Sequence, residues 1–236
     1  MGSFYSSIAS VGIDILKIML PLFFVFAASM AIAQSKSINL DTQAGMKPVN
    51  VAIESVTYRG QKALKVTEPP ANKADIVEKL LVLPENFHNG TIELDMVGSV
   101  AKDAIPGARG FVGVAFRVTA DLKKFECIYI RPTNGRADDQ VRRNHSVQYI
   151  SHPDFPWQRL RKEEPEKYES YVDLQPDTWT KVKIVVDKTN ARLYVHGNQQ
   201  PSLVIQNLKL GDTTGAIALW IGPGTEAYFA NLRLTQ

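Results

Sequence analysis

The densest collection of chemically active side chains is the stretch RPTNGRADDQVRRNHS (131–146), which gathers Arg131, Asp138, Asp139, Arg142, Arg143 and His145. Guanidinium forks bind carboxylates and hydroxyls, a histidine moves a proton near neutral pH, and an aspartate can orient it. His145, Asp139 and Arg131 are therefore the candidates for acid–base work, and Arg143 for ligand binding. The other reading of the same residues is a mixed-charge, self-paired surface loop. Trp157 in HPDFPW stands between prolines, where a stiff loop either presents the indole as a stacking platform or uses it as a plug. Glu93 and Asp95 in TIELDM share one strand face, but Val97, Gly98 and Ser99 follow, so no second glutamate on this strand completes an acid and nucleophile pair for glycoside cleavage. They read as outward strand acids. Metal binding has no support in spacing: there are no paired histidines, no cysteine pair and no Asp-x-Asp-x-Asp loop.

The elements that position these residues follow from strand parity, because side chains alternate across a strand. In GFVGVAFRV (110–118), Val112, Val114, Phe116 and Val118 belong to a core face, leaving Phe111, Gly113, Ala115 and Arg117 opposite. In FECIYIR (125–131), Cys127, Tyr129 and Arg131 oppose Ile128 and Ile130. In GAIALWIG (215–222), Ala216, Ala218 and Trp220 oppose Ile217, Leu219 and Ile221. Together these strands offer Arg117, Tyr129, Arg131 and Trp220 above a floor of glycine and alanine. Such a floor leaves room for a sugar, whose ring faces stack on aromatics while its hydroxyls take hydrogen bonds. It equally accommodates a covering loop.

Short alternating runs separated by turn residues continue through the chain, and no stretch sustains a 3.6-residue period, so the expectation is all-β: a two-sheet sandwich or a barrel. The exception is 132–176, a charged and proline-punctuated excursion in which Pro165 forbids one continuous helix. A short helix on either side of it is compatible with the sequence. The run from Ile18 to Ala33 carries no charge, follows Lys17 and ends Ala31-Ile32-Ala33, which reads as a signal peptide spanning 1–33. Residues 34–236 then form a single domain, secreted or periplasmic, without stable membrane insertion after cleavage. A formal charge of +3 gives no case for nucleic acid. Cys127 is the only cysteine, so no internal disulfide is possible and stability rests on the core.

The closing segments WTKVKIVVDKTNARLYVHG, GAIALWIG and AYFANLRLT, together with the earlier GTIELDM, resemble the concanavalin A-like lectin/glucanase superfamily. Within it, AFR, FECIYIR and GAIALWIG are similar to pieces of the bacterial 3-keto-disaccharide hydrolase-like, laminin-G-like domain. The N-terminal region NLDTQAGMKPV lacks that domain's usual tryptophan-bearing opening, and 136–171 has no counterpart in it. The resemblance implies an all-β, two-sheet antiparallel jelly-roll sandwich with a carbohydrate ligand on its concave face. It leaves three functions open: a carbohydrate-binding domain, a glycoside hydrolase or lyase acting on glycosides or keto-sugars, and a non-catalytic structural domain of an exported assembly. No cofactor is expected; calcium, bound in many relatives of this fold largely through backbone oxygens, is not decided by sequence. Intact-mass analysis of the exported protein is expected to give a chain beginning near Gln34, and a full-length chain retained in the membrane fraction would contradict the cleavage.

Overall fold

The structure, a computed structural model, describes residues 1–4, 34–69 and 78–236. Apart from its first four residues, the expected signal segment lies outside them. From residue 34 onward the alternating sequence forms strands that bury their apolar faces against one another in two antiparallel sheets. The first sheet comprises β1 (Ser35–Ser37), β3 (Ala52–Tyr58), β4 (Gln61–Thr67), β6 (Gly90–Val100), β11 (Thr180–Asp187), β12 (Asn190–Val195), β13 (Leu203–Ile205) and β15 (Thr225–Thr235). Its order is β13-β12-β11-β6-β15-β4-β3, with β1 pairing β15. The second comprises β2 (Lys47–Val49), β5 (Leu80–Phe87), β7 (Val112–Val118), β8 (Phe125–Ile130), β9 (Val147–His152), β10 (Glu169–Ser170) and β14 (Gly215–Ile221). Its order is β10-β9-β8-β7-β14-β5-β2. The expected jelly-roll sandwich is present, with Leu94, Ile184, Leu193 and Phe229 of one sheet and Leu81, Val114, Ile128 and Leu219 of the other in one buried core.

One strand escapes the sequence reading. Pro84 makes LLVLPENF look broken, because proline gives no amide hydrogen to a ladder. In the structure β5 bulges there: Ala216 of β14 pairs with Asn86 but Ala218 pairs with Val82, so Leu83–Glu85 stand opposite Ile217 and Pro84 sits where the ladder is interrupted. The other flank of β14 bulges at the same level, with Ala216 opposite Val118 and Ala218 opposite Ala115.

That second bulge corrects the placement of Arg117. Strand parity puts it beside Tyr129 and Trp220. Instead its backbone takes φ +54° and its side chain lies buried at one end of the sandwich. There the guanidinium donates to the carbonyls of Lys188 at 2.7 Å, His88 at 3.0 Å and Gly211, and to Asn89 Oδ1 at 3.2 Å. These acceptors belong to the β5–β6 turn, the β11–β12 turn and the β13–β14 connection, so Arg117 fastens both sheets at that end. Replacing it with methionine strips these carbonyls of their donor in a confined space. The Arg117→Met variant is expected to lose about 2–4 kcal/mol in urea unfolding; an unchanged midpoint would show that the turns hold without it.

Candidate functional site

The outer face of the second sheet, away from the core, carries a cross-strand row. Trp220 of β14 pairs with Gly113 of β7, Gly113 with Tyr129 of β8, Tyr129 with Gln148 of β9, and Gln148 with Glu169 of β10. Gly113 belongs there because of close approach. A Cβ on it would stand 2.4 Å from Tyr129 Cβ and 2.5 Å from the Ile128 carbonyl oxygen. The rings of Tyr129 and Trp220 fill the space above it at 4.7 Å centroid separation. The small-residue floor is thus occupied by the protein's own aromatics. Trp220 is 7% exposed and donates its Nε1–H to Glu78 at 2.9 Å, so it is a packed support and not a platform open to a ligand. Burial, opposed by Arg131, pushes the Tyr129 phenol up to about 12.

Arg131 follows directly on β8 and lies on the same face, 3% exposed. It donates to the His145 carbonyl at 3.0 Å, Tyr129 Oη at 2.9 Å and Gln148 Oε1 at 3.1 Å. Its guanidinium carbon lies 5.2 Å from the centre of Phe111, 5.1 Å from Tyr129 and 5.8 Å from Trp157. Glu169 is the buried counter-charge. Arg161 grips it with a fork, Nη2–Oε2 at 2.6 Å and Nε–Oε1 at 2.9 Å, while His145 Nε2 lies 3.2 Å from Oε1 and Arg131 Nη1 4.0 Å from Oε2. Neither Arg161 nor Glu169 is evident from sequence. Arg161 is one base among several in the excursion, and Glu169 becomes structural only because two residues of 169–170 form β10 against β9.

Two short helices complete the surroundings. Asp139 does not face the cavity: its Oδ1 accepts from the Arg142 amide at 3.0 Å and caps helix α1 (Gln140–Asn144). Arg143 lies outside the cavity wall, where it donates to Tyr171 Oη at 3.2 Å and stacks on that ring. Helix α2 (Trp157–Glu163) begins after Pro156 and ends before Pro165, since the residue preceding a proline is driven out of the helical region. Within it Leu160 is buried, and the i, i+4 pair Trp157 and Arg161 shares one face, with the guanidinium 4.7 Å from the indole centre. Trp157 remains 37% exposed.

Between these parts and the β6–β7 connection lies a cavity of about 430 Å³. Its apolar walls are Ile105, Pro106, Ala108, Phe111, Val141, Trp157 and Pro223; Arg109, Arg131, Arg142, Arg161, Asn134 and His145 supply its donors. The structure therefore brings Arg131, His145 and Trp157 together at one cavity, places Tyr129 and Trp220 beneath it, and leaves Arg117, Asp139 and Arg143 off its wall. A cavity of about 510 Å³ on the outer face of the first sheet contains Glu93 and Asp95. Asp95 is matched there by Asn231 Nδ2 at 2.6 Å and Lys181 Nζ at 3.2 Å, and Glu93 stands opposite Lys183 and Arg233 in the ladders. Its charges are balanced, and no aromatic ring but the core residue Phe229 lines it among the described residues, so the second-sheet cavity is the stronger candidate.

No family model matches the chain, and no curated protein matches it. Similarity appears in solved structures. Carbohydrate binding module CBM66 from Bacillus subtilis superposes with a TM-score of 0.55 at 12% identity, covering 80% of this chain and 95% of its own. A Bacillus subtilis protein of unknown function with a galectin-like fold gives 0.56 at 10% identity, covering 87% and 98%. The Bacillus licheniformis beta-glucanase gives 0.50 at 16%, covering 86% and 98%. The fold is that of the concanavalin A-like jelly rolls.

His145 offers a direct test of the site's electrostatics. Burial lowers its pKa below the ordinary value; Glu169 opposes this, and the positive charges of Arg161 and Arg131 add to the lowering because they repel an imidazolium. The unfolded chain thus takes up a proton near pH 6.5 before the folded one does. The stability tied to a neutral His145 is full above that pH and is lost as pH falls through the folded pKa. An imidazole NMR titration is expected to place the His145 midpoint below about 6.5, with His145→Gln losing less stability than the parent between pH 7 and 5. A midpoint above that value would reverse the assignment.

Proposed function

We propose that this chain is an exported carbohydrate-binding domain that holds a glycan in the cavity between α1, α2 and the β6–β7 connection. The observation that carries the reading is the pairing of an exposed indole, Trp157, with guanidinium and amide donors around one concave space of about 430 Å³. That volume is within the roughly 300–1,000 Å³ of small-molecule sites. Sugars need this combination: an apolar plane for the ring face and fixed donors for the hydroxyls. The jelly-roll likeness to a carbohydrate binding module and a beta-glucanase supports the reading at the level of fold. Export rests on the uncharged run ending Ala31-Ile32-Ala33.

A second reading, sugar processing by a hydrolase or lyase, is favoured by one observation only: the imidazole of His145 reaches the cavity wall beside Arg131 and Arg161. Glycoside cleavage through two carboxyl groups does not suit this wall, which among the described residues carries no carboxylate. An elimination with His145 as base and the arginines steadying an enolate needs less.

Both readings are tested on one panel of ordinary and 3-keto glycans, monitored for binding and turnover. Trp157→Ala is expected to weaken binding by about tenfold or more, as loss of a stacking surface does, while Trp220→Ala acts through stability instead. Binding indifferent to Trp157 would remove the site; turnover abolished in His145→Ala would establish the second reading.

A further inference from the structure

We infer that the ligand of this cavity is an anionic sugar, one carrying a carboxylate or sulfate on the ring; the inference rests on the carbohydrate reading above. Its basis is the charge of the wall. Arg109, Arg131, Arg142 and Arg161 line the cavity, and no carboxylate among the described residues does. Glu169 lies outside the wall and is already held by Arg161, Arg131 and His145. Two of the guanidiniums, those of Arg109 and Arg142, have no acidic partner among the described residues; Arg142 reaches only the Thr133 carbonyl at 3.3 Å and Asn134 Oδ1 at 3.5 Å.

Hydrogen bonding is also incomplete. The Nε–H groups of Arg131 and Arg142 are buried without an acceptor among the described residues, although buried donors of native proteins are nearly always paired. Arg131 is 3% exposed. A neutral sugar's hydroxyls can accept from these guanidiniums but leave their positive charge unmatched, since no acid among the described residues lines the wall. An anion balances it, and a planar carboxylate or a sulfate matches the guanidinium fork in geometry as well as charge. The apolar wall argues for a ring-bearing anion over a bare phosphate, because Trp157 and Phe111 give a sugar face something to stack on. An adjoining cavity of about 380 Å³, which shares Val141 and His145, carries the carboxylates Glu166 and Glu169, so the acidic ring belongs in the first cavity and not in the second.

Calorimetry on residues 34–236 with tri-galacturonate, its methyl ester, a sulfated disaccharide, a neutral trisaccharide and inorganic phosphate separates the possibilities. Tri-galacturonate or the sulfated sugar is expected to bind at least about tenfold tighter than ester and neutral sugar, the tighter of the two naming the anion, with affinity falling as salt rises. Arg109→Gln and Arg142→Gln, chosen because neither leaves a carboxylate unpaired, are expected to bring the acid-to-ester ratio toward one. Equal affinity for acid and ester, with Trp157→Ala still abolishing binding, would overturn the anion and keep the carbohydrate site. Phosphate binding as tightly as the acidic sugars would overturn the sugar, and no binding to any glycan would overturn both proposals.

Discussion

The outer face of the second sheet is organised by one buried carboxylate. Glu169 sits on the two-residue strand β10, and Arg161 reaches it from α2, His145 from the end of α1 and Arg131 from β8. An ionised carboxylate removed from water is costly unless it is paired and hydrogen-bonded, and here three separate segments must come to it. Meeting that requirement brings the excursion 132–176 onto the sheet and holds α2 at its edge. With α2 fixed, Trp157 stands over the Arg131 guanidinium and the cavity has a wall. Without Glu169, the arginines would repel one another, and among the described residues no other ion pair joins α2 to the strands.

Much of the architecture was legible in the sequence because strand parity is a two-residue rule that a well-packed core enforces. Thr180, Val182, Ile184 and Val186 point inward and Lys181 outward as alternation requires. The same rule misplaces Arg117, since a bulge adds a residue and turns the side chain, and neither φ +54° nor the register shift beside Ile217 leaves a mark in residue type. It also hides β5, where Pro84 signals a break and the chain uses a bulge. The candidate site was legible in part. Arg131, His145 and Trp157 stand out as chemically able residues near an irregular segment, whereas Arg161, Arg109 and Glu169 gain meaning only from contacts made across long sequence separations.

The small residues of β7 and β14 illustrate why composition alone cannot separate a groove from a packed layer. Gly113, Ala115 and Ala218 lower the floor, and either a ligand or the protein's own rings can lie on it. Tyr129 and Trp220 take that space, each nearly sealed, with Phe111 5.8 Å from Tyr129. Their cost is low because each polar end is satisfied, by Arg131 and by Glu78. The result is a stiff aromatic layer under Arg131, which keeps a guanidinium in place that solvent would otherwise let wander.

The two outer faces of the sandwich then differ in a way that matters more than their cavity sizes. On the first sheet, acids and bases alternate across the ladders: Glu93 faces Lys183 and Arg233, and Asp95 faces Lys181. Neighbouring opposite charges cancel at short range, and the field beyond them is weak. On the second sheet Glu169 stands outside the cavity wall and holds Arg131 and Arg161, which line the cavity together with Arg109 and Arg142. Placing the counter-charge outside the wall and not within it holds the donors rigid and leaves the cavity positive, the arrangement that binding an anion requires with the least rearrangement.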